Sequence, residues 1–238
     1  MTPGYDDRVR TSLDRAADLW IAIATTLTIL ALTLPLFLNP VWVGFEQGRA
    51  QAAAWTGFSE PDLRQATDAI LADLVFGPPD FDVAIGGAPV LNDRERGHMR
   101  DVRGVFVAFF ALAIALAAAA LAMAARRRGD ERRATWRAVR GGAIGLIVVL
   151  VGAGILSVVA FAAVFELFHQ IFFAGGSYAF DPATERLVQL FPFRFWQESA
   201  IAVGAVTVVI AALVAVVATR RRSARGGIPP PPMDGSRL

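Results

Sequence analysis

The stretch GVFVAFFALAIALAAAALAMAA, residues 104–125, contains no charged residue and is followed at once by Arg126, Arg127 and Arg128. A helix needs about 20 apolar residues to cross a bilayer core, so this stretch has the length and composition of a membrane span. Three further stretches have a similar character, at residues 19–38, 141–164 and 200–218. We therefore predict an all-α membrane protein with four transmembrane helices.

The overall composition supports this class. A hydrophobic content of 55% and a mean hydropathy of +0.49 are too high for a soluble chain of 238 residues. The net charge is +2, but the arginines lie in short runs beside the apolar stretches, which is typical of membrane topology signals. We expect neither nucleic acid nor nucleotide as a partner, and the sequence contains no phosphate-binding glycine loop.

Cysteine and lysine are both absent from the chain. Disulfides, thiolate metal sites and thioester intermediates are therefore excluded. Only His98 and His169 carry side chains that titrate near neutral pH without help from their surroundings. They are the main candidates for acid and base chemistry.

The placement of arginine predicts how the spans are oriented. Seven arginines lie within residues 126–140 and four within residues 220–225, so both segments are expected in the cytoplasm. Both termini then face the cytoplasm, with residues 1–18 as an N-terminal tail and residues 219–238 as a disordered tail. The loops 39–103 and 165–198 face outward, and they hold both histidines and 14 of the 21 acidic residues.

The first outer loop contains SEPDLRQATDAILADLVFG, residues 59–77. Ser59 is a favourable N-cap, and Leu63, Ile70 and Leu74 share one helical face. We expect a short amphipathic helix on the outer membrane surface with its apolar side toward the lipid. Such a helix can serve as a structural cover over the bundle or contact the substrate.

A second helix start precedes the second span, in LNDRERGHMRDVRGVF, residues 91–106. Asn92 can cap this helix with Glu95 in the capping-box position, and His98 follows Glu95 by one turn. A carboxylate at that spacing can orient an imidazole. A surface histidine in a solvated run of charges would give the same pattern.

The stretch ELFHQIFF, residues 166–173, ends the third span and repeats the spacing, since Glu166 and His169 share a face. Ionisable groups beside a membrane span are costly and mark a functional site by default. Anchoring of the helix end by an interfacial histidine is the alternative. Further along, Arg194 lies in an aromatic belt, where it can bind a lipid phosphate or act as an anchor.

Three motifs together resemble the integral membrane family that includes lipoprotein intramolecular transacylase (Lit). They are NDRERGHMRDV at residues 92–102, FHQIFF at residues 168–173 and YAFDPATERLVQLFPFRFW at residues 178–196. The resemblance covers roughly residues 15–218. The chain has Tyr178 where the family pattern has tryptophan.

The resemblance implies an acyl transfer at the outer leaflet of a bacterial cell membrane, without a cofactor. The sn-2 acyl chain of a diacylglyceryl-cysteine lipoprotein moves to the α-amino group of the same cysteine. By the same resemblance, His169 and His98 carry over as the essential pair, and we expect Glu166 and Glu95 to orient them. The residues expected to contact the lipoprotein or membrane lipid are Arg194, Tyr178, Phe168, Phe172 and Phe173.

Two other classes stay open at this point. The two Glu-x-x-His pairs could bind a divalent ion in a metal-dependent membrane hydrolase, although the sequence lacks HExxH and we expect no metal. A non-enzymatic accessory protein that binds lipid or a membrane partner is the other alternative. Gly141 and Gly145 form a GxxxG pair suited to close helix packing in either case.

Overall fold

A computed structural model describes residues 5–173 and 176–223 and confirms four helices long and apolar enough to cross a membrane. The elements in chain order are α1 (Tyr5–Thr33), a 3₁₀ turn (Leu34–Leu36), α2 (Pro40–Arg49), α3 (Ala52–Thr56), α4 (Glu60–Val75), β1 (Ala84–Ile85), β2 (Ala88–Pro89), α5 (Asp93–Arg126), α6 (Gly129–Phe172), α7 (Arg186–Leu190) and α8 (Phe193–Ser223). The membrane helices are α1, α5, α6 and α8.

All four helices extend past the apolar stretches that predicted them, as α5 and α8 illustrate. α5 has 34 residues, more than the roughly 20 that cross a bilayer core, so its charged first turns project from the span and carry His98. α8 remains helical to Ser223, so the predicted tail at 219–238 begins inside a helix. The remainder of that tail, residues 224–238, lies outside the described residues, as do residues 1–4 of the predicted N-terminal tail.

The third span is not continuous, in contrast to the sequence prediction. Ala160 has φ −141° and ψ 41°, which interrupts α6 and leaves a lower segment, Gly129–Ser157, and an upper segment, Val159–Phe172. Gly152, Gly154 and Ser157 precede the break, and glycine and serine are common at helix kinks. His169 therefore lies on a short helical segment of its own.

The bundle is packed through aliphatic side chains of mixed size. α6 packs mainly against α8 and α1, whereas α5 packs mainly against α1. The buried cluster between the first three of these consists of Ile29, Ala143, Leu146 and Ala211. Lipid tails are as apolar as the helices, so contact in a membrane depends on close packing rather than on removal from water.

One glycine lies where two helices approach closely, and it is not a member of the predicted GxxxG pair. A Cβ at Gly142 would lie 2.3 Å from the carbonyl oxygen of Ala22 on α1, whereas a Cβ at Gly141 or Gly145 would have open space around it. The hydroxyl of Thr26 also donates to the Gly142 carbonyl at 3.2 Å. Gly142 is thus the residue that allows α1 and α6 to approach.

Residues 37–92 and 176–192 form a cap above the bundle. Its core contains large apolar side chains, among them Leu63, Ile70, Phe81 and Leu190. β1 and β2 form a short antiparallel hairpin whose turn residues, Gly86 and Gly87, both have positive φ. The sequence analysis did not predict this hairpin.

α4 forms where the sequence predicts it, with Ser59 accepting a hydrogen bond from the Asp62 amide. Its apolar face is not turned toward lipid. Leu63, Ile70 and Leu74 are buried in the cap core, so protein covers the side that was expected to rest on the membrane. The placement of α4 on the outer membrane surface remains a prediction.

Candidate active site

Two histidines from separate elements meet at the junction of cap and bundle. His98 lies in the second turn of α5, and His169 lies near the end of the upper segment of α6. Their ring centroids are 6.1 Å apart, and the ring planes are inclined by only 22°. Two imidazoles in this arrangement can both reach one small reacting group.

His98 is fixed by the start of its helix. The Asn92 side chain accepts from the Glu95 amide at 3.0 Å, and the Glu95 carboxylate accepts from the Asn92 amide at 2.7 Å. These two bonds complete the predicted capping box. His98 itself is 6% exposed, and its Nδ1 has no hydrogen-bond partner within the described part of the chain.

Glu95 makes no hydrogen bond to His98, the imidazole that it was expected to orient. The carboxylate is 1% exposed, and its second oxygen accepts from the Leu187 amide at 2.6 Å. Both oxygens are thus bound to backbone amides, one of them from the far side of the cap. Glu95 ties the first turn of α5 to α7 and makes no hydrogen bond to the imidazole.

His169 is oriented by backbone rather than by Glu166. Its Nδ1 lies 2.8 Å from the carbonyl oxygen of Phe165, and a carbonyl oxygen can only accept, so Nδ1 carries the proton. Nε2 is then the nitrogen with a free lone pair. The expected bond from Glu166 to this imidazole is not formed.

The Glu166 carboxylate has two other partners. It accepts from the Tyr178 hydroxyl at 2.7 Å and from the Gln170 side chain at 2.9 Å. The bond to Glu166 raises the pKa of the Tyr178 hydroxyl, since it stabilises the protonated phenol. The Tyr178 ring lies 4.9 Å from the His169 ring, so Tyr178 connects Glu166 to the neighbourhood of His169.

Aromatic rings surround both imidazoles. Phe173 is buried and contacts both of them, at centroid distances of 4.7 Å from His98 and 5.4 Å from His169. Phe168 lies 5.4 Å from His169. Phe172 instead packs on Phe168 at 4.8 Å and is half exposed, so it extends the apolar wall away from the imidazoles.

Sequence reasoning missed one aromatic residue of this group. Phe180 packs on His98 at 5.4 Å from a loop more than 80 positions along the chain. The available signal was its place in the segment YAFDP, two residues beyond Tyr178. Tyr178 and Phe180 are two positions apart, and each of their rings packs on a different histidine.

Arg194 lies in a polar cluster on α8. It donates to Glu198 at 2.7 Å, and Arg49 of α2 donates to the same carboxylate at 2.6 Å. Glu46 is buried beside them, and burial together with the Glu198 carboxylate raises the pKa of Glu46. The described ion pair of Arg194 lies within α8, and Arg49 is the residue that links Glu198 to the cap; neither contact includes a histidine.

The two glutamates and two histidines of the metal-dependent alternative do not form a set of metal ligands in the structure. Glu95 is occupied by two amides and Glu166 by Tyr178 and Gln170. Within residues 5–173 and 176–223 there is no group of three or more metal-ligating side chains. The site is built as a pair of imidazoles in an apolar enclosure.

Comparison with known proteins extends this description. Residues 19–196 match the family model described as lipoprotein intramolecular transacylase Lit. The fold is similar to that of the membrane integral lipoprotein intramolecular transacylase Lit from Bacillus cereus, with 17% identity, a TM-score of 0.68 and coverage of 89% of this chain and 96% of that one. No curated protein sequence matches the chain.

Two further structures of the Bacillus cereus protein carry a substitution of one histidine. The arginine variant gives a TM-score of 0.68, covering 92% of this chain and 98% of that one. The alanine variant gives 0.64, with 90% and 96% covered. Both are 17% identical to the present chain.

Proposed function

The chain belongs to the lipoprotein intramolecular transacylase family, and from that premise we propose that it transfers an acyl chain within a lipoprotein. The sn-2 chain of a diacylglyceryl-cysteine moves to the α-amino group of the same cysteine. The observation that carries the proposal is the pair of imidazoles, His98 and His169, 6.1 Å apart among aromatic rings. The product is an N-acyl, S-monoacylglyceryl lipoprotein.

The reaction needs two proton movements and no external energy source. The amine nitrogen attacks the ester carbonyl, the carbon–oxygen bond of the glyceryl ester breaks, the nitrogen loses a proton and the glyceryl oxygen gains one. Conversion of an ester to an amide is downhill, and both groups are tethered to one substrate, so the protein mainly orients them. An imidazole with a pKa near 6.5 can accept a proton from an amine with a pKa of about 8.

The tautomer of His169 suits the role of base. Because Nδ1–H donates to the Phe165 carbonyl, Nε2 is available to take the proton of the attacking amine. His98 then acts as its partner, delivering a proton to the glyceryl oxygen or donating to the carbonyl oxygen as it gains charge. A buried charge without a partner is costly, so His98 is suited to remain neutral until substrate is bound.

The surrounding residues supply the apolar environment. Phe168, Phe172 and Phe173 offer a surface for the acyl chains, and Tyr178 packs over His169. Exclusion of water favours transfer to the amine over hydrolysis. The partly exposed Arg194 lies in the same outer region of the chain, where we propose contact with a lipid headgroup.

The location follows from topology and chemistry together. The arginine runs support a topology with both termini in the cytoplasm and the histidines outside. A lipoprotein's first cysteine lies at the outer leaflet with its acyl chains in the bilayer. We therefore propose that the site acts at the outer surface of a bacterial cell membrane.

Mass spectrometry of one lipoprotein tests this function. The protein is expressed in a bacterium whose lipoproteins stay diacylated with a free N-terminus, and the N-terminal lipopeptide is sequenced by tandem spectra. The expected result is one acyl chain on nitrogen with an unchanged acyl total, lost in His169→Ala and kept in Leu167→Ala, an exposed residue of the same segment. An untouched lipopeptide beside abundant, inserted wild-type protein would overturn the proposal and favour the accessory-protein alternative.

A further inference from the structure

A charged pair joins the start of α5 to the loop at residues 176–185, which we call the aromatic loop. Arg94 donates to the Glu185 carboxylate through Nε at 3.1 Å and through Nη2 at 2.6 Å. Glu185 is only 9% exposed, and the Arg94 guanidinium holds the pKa of this carboxyl below its usual value. An ion pair with this forked geometry fixes orientation as well as distance.

Both members of the pair also bind earlier positions of the aromatic loop. Arg94 donates to the Ala179 carbonyl at 2.9 Å, and its guanidinium lies 4.7 Å from the centre of the Phe180 ring. Glu185 accepts from the Asp181 amide at 2.6 Å. Three consecutive positions of the loop are thus held by one ion pair.

These positions include Phe180 and directly follow Tyr178, and the rings of these two residues pack on the histidines. Phe180 packs on His98 at 5.4 Å, and Tyr178 packs on His169 at 4.9 Å. Phe180 is therefore held between the guanidinium of Arg94 and the imidazole of His98. Neither Arg94 nor Glu185 contacts a histidine itself, so any effect on the chemistry passes through the aromatic loop.

We propose that Arg94 and Glu185 are positioning residues that hold the aromatic loop against His98 and His169 and thereby keep water away from the acyl group in transfer. The proposal rests on the transacylase function proposed above. The family motif alone does not distinguish Arg94 from Arg96, which is two positions further along the same helix. In the structure, Arg96 pairs with Asp82 and with the Asp80 carbonyl, on the hairpin side of the cap.

Water is the natural competitor for this reaction. If it attacks the sn-2 carbonyl in place of the amine, the same glyceryl carbon–oxygen bond breaks. A free fatty acid is released, the glyceryl oxygen takes a proton, and the α-amino group stays free. The ratio of N-acyl product to free fatty acid thus reports how well the aromatic loop excludes water.

The test compares Arg94→Met with Arg96→Met, using detergent-purified full-length protein and a synthetic diacylglyceryl-cysteine lipopeptide. Methionine keeps an extended apolar side chain and removes the charge. Because misplacement of groups near the chemistry costs up to about a hundredfold, we expect Arg94→Met to lower the rate of N-acylation by about 10- to 100-fold and to raise the share of free fatty acid. Arg96→Met is expected to match the wild type in both measurements.

A second variant keeps the inference testable if Arg94→Met fails to fold. Phe180→Leu leaves the ion pair in place but removes the ring over His98, and we expect it to raise the share of hydrolysis in the same way. The double variant Arg94→Met, Phe180→Leu is expected to be little worse than either single change, since both act through one contact.

The outcomes separate the inference from the proposed function. Absence of N-acylation by the wild type would defeat the proposed function itself. Active wild type with an unchanged product ratio in both Arg94→Met and Phe180→Leu would overturn the inference alone. A lower rate of N-acylation with an unchanged ratio of N-acyl product to free fatty acid would show that the ion pair only supports the fold. That result would also overturn the inference.

Discussion

The two histidines occupy the same local pattern, Glu-x-x-His, and are supported in opposite ways. Glu95 is buried and bound to two amides, so the helix turn beneath His98 is anchored in the cap. Glu166 is exposed and holds the Tyr178 hydroxyl, and His169 is oriented by its own helix backbone. Spacing alone therefore does not assign a role to a carboxylate, because burial and competing donors decide what it binds.

The largest expected effect is on activity and tests whether both imidazoles are needed. His98→Ala and His169→Ala are each expected to lower N-acylation by at least about a hundredfold, the usual contribution of a general acid or base. Added free imidazole is expected to restore activity more in His169→Ala, because His169 is the more exposed of the two. Equal recovery, measured by the rate of lipopeptide conversion, would contradict the difference in burial.

The next largest effect is a loss of stability on replacement of the buried carboxylate of Glu95. Glu95→Ala removes the capping box and leaves the Leu187 amide without its partner. We expect a loss of about 2–4 kcal/mol, from about 1 for the cap and the rest for the unsatisfied buried amide. Thermal unfolding in detergent measures it, and a melting temperature like that of the wild type would contradict the anchoring role.

The smallest effect is expected at Glu166, which occupies the same position relative to His169 as Glu95 does relative to His98. Glu166→Gln keeps an acceptor for the Tyr178 hydroxyl, and the residue is exposed, so stability should change by less than about 0.5 kcal/mol. Activity is expected to stay close to that of the wild type, and Tyr178→Phe serves as the matched change on the other partner. A loss of activity as large as that of His169→Ala would contradict this expectation and indicate that Glu166 orients His169 directly.

Local signals predicted much of this fold. The four spans follow from apolar length, and the caps at Ser59 and Asn92 form because each depends on residues within one turn. Contacts over long distances in the chain were not predictable. The Leu187 amide that binds Glu95 is more than 90 positions away in the chain. Gly142, rather than Gly141 or Gly145, permits close packing because Ala22 of α1 lies against it.

The candidate site shows the same division. Both histidines were identified from the sequence, yet their separation depends on how α5 and α6 pack. The carboxylates expected to orient the imidazoles bind other groups in the structure: a backbone carbonyl lies beside His169 Nδ1, and backbone amides donate to Glu95. The break at Ala160 has no proline to announce it, so an apolar pattern that continues through it predicted a single helix.

That break has a consequence for how such proteins can adapt. In a continuous helix each inserted or deleted residue turns everything beyond it by about 100°, which would rotate His169 out of line with His98. An interruption at Ala160 disconnects the rotation of the upper segment from that of the lower one. A change in the length of the lower segment, to suit a bilayer of different thickness, would therefore not have to turn His169 away from His98.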